Sequence, residues 1–164
     1  FKFQFMKWIY VLISTTFLSW QAYSQQISSY TFAGLEEKIK QESKEHHLIV
    51  NFWATWCAPC IKELPYFESL AEDIKTNQLK VMLVSLDMEK ERADTYARKK
   101  GLQSEVLYLD EVDFNQWIDS ISSDWSGAIP ATLMVAPSGK KEFFEGAFTK
   151  EELYDTVKRF VEND

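Results

Sequence analysis

Apolar and polar positions along the chain change period several times, and each change marks an element. Phe32, Leu35 and Ile39 recur at helical spacing in a segment rich in glutamate and lysine, which predicts an amphipathic helix over 34–45. Residues 48–54 (LIVNFWA) are instead a continuous run of branched and aromatic side chains, the pattern of a buried strand. Helical spacing returns over 58–75, with Phe67, Leu70, Ala71 and Ile74 on the inner face. Pro65 falls inside that helix and removes a hydrogen bond to the Ile61 carbonyl, so a kink is expected there. Residues 80–86 (KVMLVSL) are a second apolar strand, as expected for a parallel strand covered on both faces. Asp87 is the expected cap of a helix over 88–100, closed by Lys99, Lys100 and Gly101. A right-handed crossover then sets strands 48–54 and 80–86 side by side.

Farther along, 106–109 reads as a short edge strand. Asp113 opens an amphipathic stretch in which Phe114, Trp117, Ile118 and Ile121 share a face and Gln116 completes a capping-box-like start. This stripe is assigned to core packing, with a partner-specific surface as the alternative. Residues 125–130 form a turn ending at Pro130, and 131–136 is a strand. The turn Pro137-Ser138-Gly139 returns it as strand 141–145, making a hairpin. Thr149 and Glu152 form a capping box for a last helix whose buried face is Leu153, Val157, Phe160 and Val161. No repeat, low-complexity segment or linker interrupts residues 28–164, which therefore read as one domain.

Residues 1–24 fall outside this pattern. Met6-Lys7 begins a short basic stretch, residues 8–18 are apolar, and Ala22 and Ser24 are small residues at the positions a signal peptidase reads. The apolar run is shorter than the ~20 residues a membrane-spanning helix needs. A secretory signal cleaved after Ser24 is the expectation, with an uncleaved anchor as the alternative and Met6 as a candidate start. The protein is accordingly placed outside the cytoplasm, in the periplasm or cell envelope.

Composition adds exclusions. The 164 residues are 46% hydrophobic and 26% charged, an ordinary globular balance. A formal charge of -7 leaves no basic face to neutralise phosphates, so nucleic acid is not an expected partner. His46 and His47 are the only histidines and read as loop residues at the entry to strand 48–54. Cys57 and Cys60 are the only cysteines. Their spacing is that of half a zinc site, but such a site needs about four ligands, so no metal is expected. As a structural bridge they would close a very small loop and stabilise little. A bridge of that kind is suited to being opened and closed. A strand that delivers Cys57 onto a helix start also places its sulfur among unpaired backbone N–H groups, which can lower a thiol pKa from ~8.5 toward ~3.5–7.5. Cys60, one turn further in, is expected to be shielded.

Trp56-Cys57-Ala58-Pro59-Cys60 after an apolar strand, Pro65 five residues past the second cysteine, and Gly127-Ala128-Ile129-Pro130-Ala131-Thr132 before a hairpin and last helix together resemble the thioredoxin superfamily. The closer resemblance is to its exported TlpA/ResA-like thiol–disulfide oxidoreductases, and it covers most of 28–164. It implies a thioredoxin-like α/β fold, a mixed central sheet flanked by helices on both faces. It implies Cys57 as the attacking thiol and Cys60 as the resolving thiol, with no cofactor beyond their disulfide. Ala58-Pro59 would restrict the loop and help set the reduction potential. Pro130 matches the family's cis-proline, which would let the Ile129 backbone pair with an extended substrate. Trp53, Trp56, Pro59, Trp125 and Ile129 would then form an apolar rim around Cys57, although Trp53 taken alone reads as a core aromatic. Thioredoxins carry a buried aspartate where this chain has Asn51, an amide that cannot act as a base. The exported branch carries a glutamate three residues after the second cysteine, here Glu63. The hypothesis is that Glu63 handles the Cys60 proton or tunes both thiols, against the alternative of an exposed helix glutamate. The implied partners are a disulfide-containing exported protein and a membrane thiol donor. A peroxide-reducing redoxin and a copper-binding module on the same fold are the competing functions. The first lacks its Pro-x-x-x-Thr-x-x-Cys setting, and the second lacks wider cysteine spacing and a downstream histidine.

Overall fold

The computed structural model describes residues 27–73, 78–111 and 117–164. The signal-like segment 1–24, Ile74 on the expected helix face, and Asp113, Phe114 and Gln116 of the amphipathic stretch lie outside the described residues. Eleven elements follow in order: β1 (Ser28–Tyr30), α1 (Phe32–Glu42), β2 (His47–Trp53), α2 (Ala58–Asp73), β3 (Leu79–Ser85), α3 (Lys90–Lys100), β4 (Glu105–Leu109), α4 (Ile118–Ile121), β5 (Ala131–Val135), β6 (Lys141–Glu145) and α5 (Lys150–Glu162).

Six strands form one sheet in the order β1-β4-β3-β2-β5-β6. β1, β4, β3 and β2 run parallel, while β5 is antiparallel to β2 and β6 to β5. β2 lies inside the sheet, and alternate side chains of a strand face opposite sides. Its Leu48, Val50 and Phe52 enter a core with Leu35 and Ile39 of α1 and with Trp117, Ile121 and Trp125. Its Ile49 and Trp53 enter a second core with Leu64, Phe67 and Leu70 of α2, Ala93 and Ala97 of α3, and Leu153, Val157 and Phe160 of α5. Both faces of the sheet are therefore covered, which is why β2 and β3 read as continuous apolar runs. Asn51, between Ile49 and Trp53 in the alternation, belongs to the α2 side.

Several boundaries depart from the sequence reading for identifiable reasons. The segment 106–109 is not an edge: β1 pairs with β4 in parallel, Ser28 opposite Leu107, and a three-residue polar strand gives no periodic signal. Helix α3 starts at Lys90, with Glu89 as its cap residue making no side-chain capping bond. Asp87 is not the cap, because its carboxylate is engaged elsewhere. Gly101 does close α3 in the left-handed conformation, at φ 65°. Only Ile118–Ile121 of the amphipathic stretch is helical among the described residues, while Trp117 and Ile121 are buried in the core as expected. Ala71 is exposed rather than inward. His47 begins β2 rather than lying in a loop, with its Nε2 3.1 Å from Asp164 Oδ2. The Thr149–Glu152 capping box forms as read.

Far from the cysteines, Lys38 and Glu42 of α1, Lys80 of β3 and Glu105 of β4 form a closed ring of alternating charge. Lys38 Nζ lies 3.1 Å from Glu42 Oε1 and 2.9 Å from Glu105 Oε1. Lys80 Nζ lies 2.9 Å from Glu42 Oε2 and 2.9 Å from Glu105 Oε2. The Lys80 ammonium holds the Glu42 carboxyl below its ordinary range.

Phe67, fully buried between α2 and the sheet, anchors the helix that carries Cys60. Phe67→Ala is expected to lower stability by about 3–5 kcal/mol, read as a fall in the urea midpoint.

Candidate active site

The site is assembled where β2 ends. After Trp53 the chain turns, closed by a bond from Cys57 N to Ala54 O of 3.1 Å, and α2 begins at Ala58. Proline at Pro59 is tolerated because a helix's first N–H groups have no partner inside it. Cys57 and Cys60 are joined as a disulfide. The Cys60 backbone N–H points at Cys57 Sγ from 3.3 Å, so the sulfur does sit against the start of the helix. Cys57 keeps 4% exposure and Cys60 none, which leaves Cys57 as the sulfur that an outside reactant can reach.

Pro130, buried just before β5, faces this turn because β5 pairs with β2. The Ile129–Pro130 peptide is cis, and Cys57 Sγ lies 3.7 Å from Ile129 O. Trp56 is 62% exposed, Pro59 is exposed and Ile129 is half-buried. These three are the apolar rim. Two expected members are absent from it. Trp53 is fully buried and packs against Tyr96, which matches its reading as a core aromatic. Trp125 is buried beside Phe52, Trp117 and Phe143, with its Nε1 donating to Ala128 O at 2.8 Å. The bulk of an indole so near Phe52 serves the core on the α1 side of the sheet.

Glu63 is not an exposed helix residue. It is 1% exposed, on the face of α2 turned to the sheet. Asn51 Nδ2 donates to its Oε1 at 2.9 Å and the Phe148 backbone N–H donates to its Oε2 at 2.8 Å. Asn51 Nδ2 also reaches Thr132 Oγ1 at 3.2 Å. Burial pushes the Glu63 carboxyl up to about 7, outweighing the two hydrogen bonds that favour its ionised form. The pairing of Asn51 with Glu63 joins a strand to a helix 12 residues apart and carries no local sequence signal.

Asp87 is a further polar residue of this edge. It is buried and bonded to Thr55, two residues before Cys57. In sequence, an acid just after a strand has the pattern of a helix cap. Among the described residues, no cluster of histidine, cysteine, aspartate and glutamate could hold a metal ion.

Residues 25–142 match the AhpC/TSA family. The chain belongs to that family. Within it, the chain is similar to proteins named thiol-disulfide oxidoreductase ResA. That of Geobacillus thermodenitrificans is 27% identical over 121 residues, covering 68% of this chain and 66% of the relative. That of Oceanobacillus iheyensis is 31% identical over 107 residues, covering 65% of this chain and 53% of the relative. The matches thus span between about half and two-thirds of the relatives' lengths. The thioredoxin domain of a thiol-disulfide oxidoreductase from Bacteroides vulgatus superposes with a TM-score of 0.57 at 26% identity, covering 74% of this chain and 83% of that one. The fold of this AhpC/TSA member is accordingly thioredoxin-like.

The position of Glu63 makes stability depend on pH in a definite direction. Its folded value, about 7, lies above an ordinary glutamate's, so the folded protein holds the proton more tightly than the unfolded chain. Stability is therefore full in acid and falls as pH rises through the window up to about 7. Denaturant titrations are expected to show wild type losing about 3 kcal/mol between about pH 4 and pH 8 relative to Glu63→Gln, whose own curve lacks this component.

Proposed function

We propose that the protein is an exported thiol–disulfide oxidoreductase that reduces or exchanges disulfides of other exported proteins. The observation that carries this reading is the Cys57–Cys60 disulfide at the start of α2, with Cys57 reachable, Cys60 enclosed and the cis Ile129–Pro130 edge alongside. The ResA relatives support it, and so does the signal-like segment ahead of the domain.

In the reduced protein, the Cys57 thiolate attacks one sulfur of a substrate disulfide. A Cys57–substrate disulfide forms, and the first substrate sulfur leaves as a thiolate that takes up a proton. Cys60 then gives up its proton and attacks Cys57 Sγ. The Cys57–Cys60 disulfide forms and the second substrate thiol is released. The substrate has gained two electrons and the protein has lost them. A dithiol donor, in this reading a membrane protein, returns the pair by the reverse exchange.

The backbone N–H of Cys60 favours the Cys57 thiolate by direct donation, and the helix start adds its partial positive charge. Glu63 is the candidate proton acceptor for Cys60, three residues away on the same helix, where i and i+3 side chains are neighbours. A carboxyl poised near neutrality can both take and return a proton. Asn51 cannot be that base, and its part is to orient Glu63 by the bond to Oε1. Trp56, Pro59 and Ile129 offer the substrate an apolar rim, and the Ile129 carbonyl can accept from an extended substrate backbone. No cofactor beyond the disulfide takes part.

Purified protein supplied with dithiol is expected to accelerate insulin disulfide reduction, and Cys57→Ser to abolish the acceleration. Cys60→Ser, expressed in the source cell, is expected to accumulate mixed disulfides that identify donor and substrate. An unchanged insulin rate in Cys57→Ser would overturn the proposal.

A further inference from the structure

Asp87 stands apart from the thiol machinery and nevertheless touches the turn that presents it. β2 and β3 end in register, Trp53 opposite Ser85, and Leu86 N donates to Trp53 O at 2.8 Å. The chain just past β3 is thereby held against the chain just past β2. There the Asp87 carboxylate takes the Thr55 backbone N–H on both oxygens, at 3.1 Å each, and the Thr55 hydroxyl on Oδ1 at 2.6 Å. Ser85 Oγ donates to Oδ2 at 2.9 Å and accepts the Asp87 N–H at 3.1 Å. The residue is 3% exposed, and every one of these partners is neutral. Among the described residues no lysine, arginine or histidine pairs with it.

Acids and phenols also lie on the neighbouring elements, and α3 opens with Lys90 and Arg92 a few residues past Asp87. Glu63 is buried on α2, and Tyr96 of α3 packs on Trp53. Tyr108 of β4 donates to Met88 O, and burial raises its phenol, with Asp110, Glu91, Asp87 and Glu89 adding to the rise. A buried carboxylate with three donors and no ion-pair partner is costly to keep unless it serves a purpose, since desolvation penalises the charge and hydrogen bonds return only part.

Resting on the reading of Cys57 as the attacking thiol, we propose that Asp87 is a positioning residue of the exchange reaction. Its bonds latch the Thr55–Trp56–Cys57 turn, and its uncompensated charge makes the Cys57 thiolate less stable than the helix start alone would make it. The two effects are separable. Asparagine at 87 keeps Oδ1 for the Thr55 N–H and hydroxyl, and its Nδ2 can donate to Ser85 Oγ in place of the bond that now runs the other way. Asp87→Asn therefore removes the charge and preserves the latch. Thr55→Val keeps the charge and the backbone bond and removes the 2.6 Å hydroxyl bond.

The test follows the pH dependence of Cys57 alkylation, the equilibrium with glutathione, and the kinetics of insulin reduction in the reduced protein. Asp87→Asn is expected to lower the Cys57 pKa by about one unit, since removing a nearby like charge favours the thiolate. The same change is expected to shift the glutathione equilibrium about tenfold toward the dithiol, one pKa unit being a factor of ten. Thr55→Val is expected to leave that pKa in place and to raise KM severalfold through a loosened turn. An unchanged or raised pKa in Asp87→Asn overturns the charge assignment, and an unchanged KM in Thr55→Val overturns the latch. Should Asp87→Asn fail to fold, Asp87→Ser, which retains an oxygen acceptor without charge, gives the same readout. If Cys60 rather than Cys57 is the thiol alkylated at low pH, the proposed function itself fails, an outcome distinct from either of these.

Discussion

Strand β2 is held on both sides at once, parallel to β3 and antiparallel to β5, and that double pairing fixes the geometry of everything near the cysteines. Because side chains alternate across a strand, a shift of one residue would exchange its two faces. Leu48, Val50 and Phe52 would meet α2, and Asn51 would turn toward α1 and away from Glu63. Such a slip would strand a carboxylate and an amide in separate apolar cores, so the buried polar pair and the apolar pattern enforce the same register. The pairing with β3 sets Trp53 opposite Ser85 and so brings Asp87 to Thr55. The pairing with β5 sets Asn51 opposite Thr132 and so brings Pro130 to Cys57. Three segments distant in sequence converge on the turn because one strand has two neighbours.

Around that turn, donors and acceptors are distributed unevenly. The sulfur side carries backbone N–H groups of the helix start, which favour negative charge. The flanking side chains, Glu63 beneath and Asp87 beside, carry carboxylates shut away from water. Their hydrogen-bond partners differ. Glu63 has two donors and is pushed toward neutrality. Asp87 has a tighter set, including two hydroxyls, which are short, adaptable donors.

Much of this was legible in the sequence because its strongest signals are local. The apolar runs of β2 and β3, Gly101 after α3, and the Thr149–Glu152 pair each depend on neighbours within a few positions, and each appears where expected. The Cys-x-x-Cys motif and the Ile129-Pro130 step were legible through the combination of motifs, since neither is specific alone. What escaped notice depends on contacts across the sheet. β1 is a strand only because β4 offers an open edge to three polar-flanked residues. Asp87 resembles a helix cap until Thr55 is brought beside it. Trp125 looks like a rim aromatic in a one-dimensional reading, and only its packing against Phe52, Trp117 and Phe143 shows that the ring belongs to the interior, whereas Trp53 already reads as a core residue. The Asn51–Glu63 bond spans 12 residues and two elements, beyond the reach of any periodicity.

The ring formed by Lys38, Glu42, Lys80 and Glu105 carries a consequence for how this domain can diverge. Each lysine is shared by both carboxylates and each carboxylate by both lysines, so the four charges sum to zero and no member has a private partner. Loss of any one member leaves an odd charge among half-buried neighbours, whereas loss of one acid together with one base leaves a balanced pair. The ring therefore favours compensated double replacement of an acid together with a base over single steps.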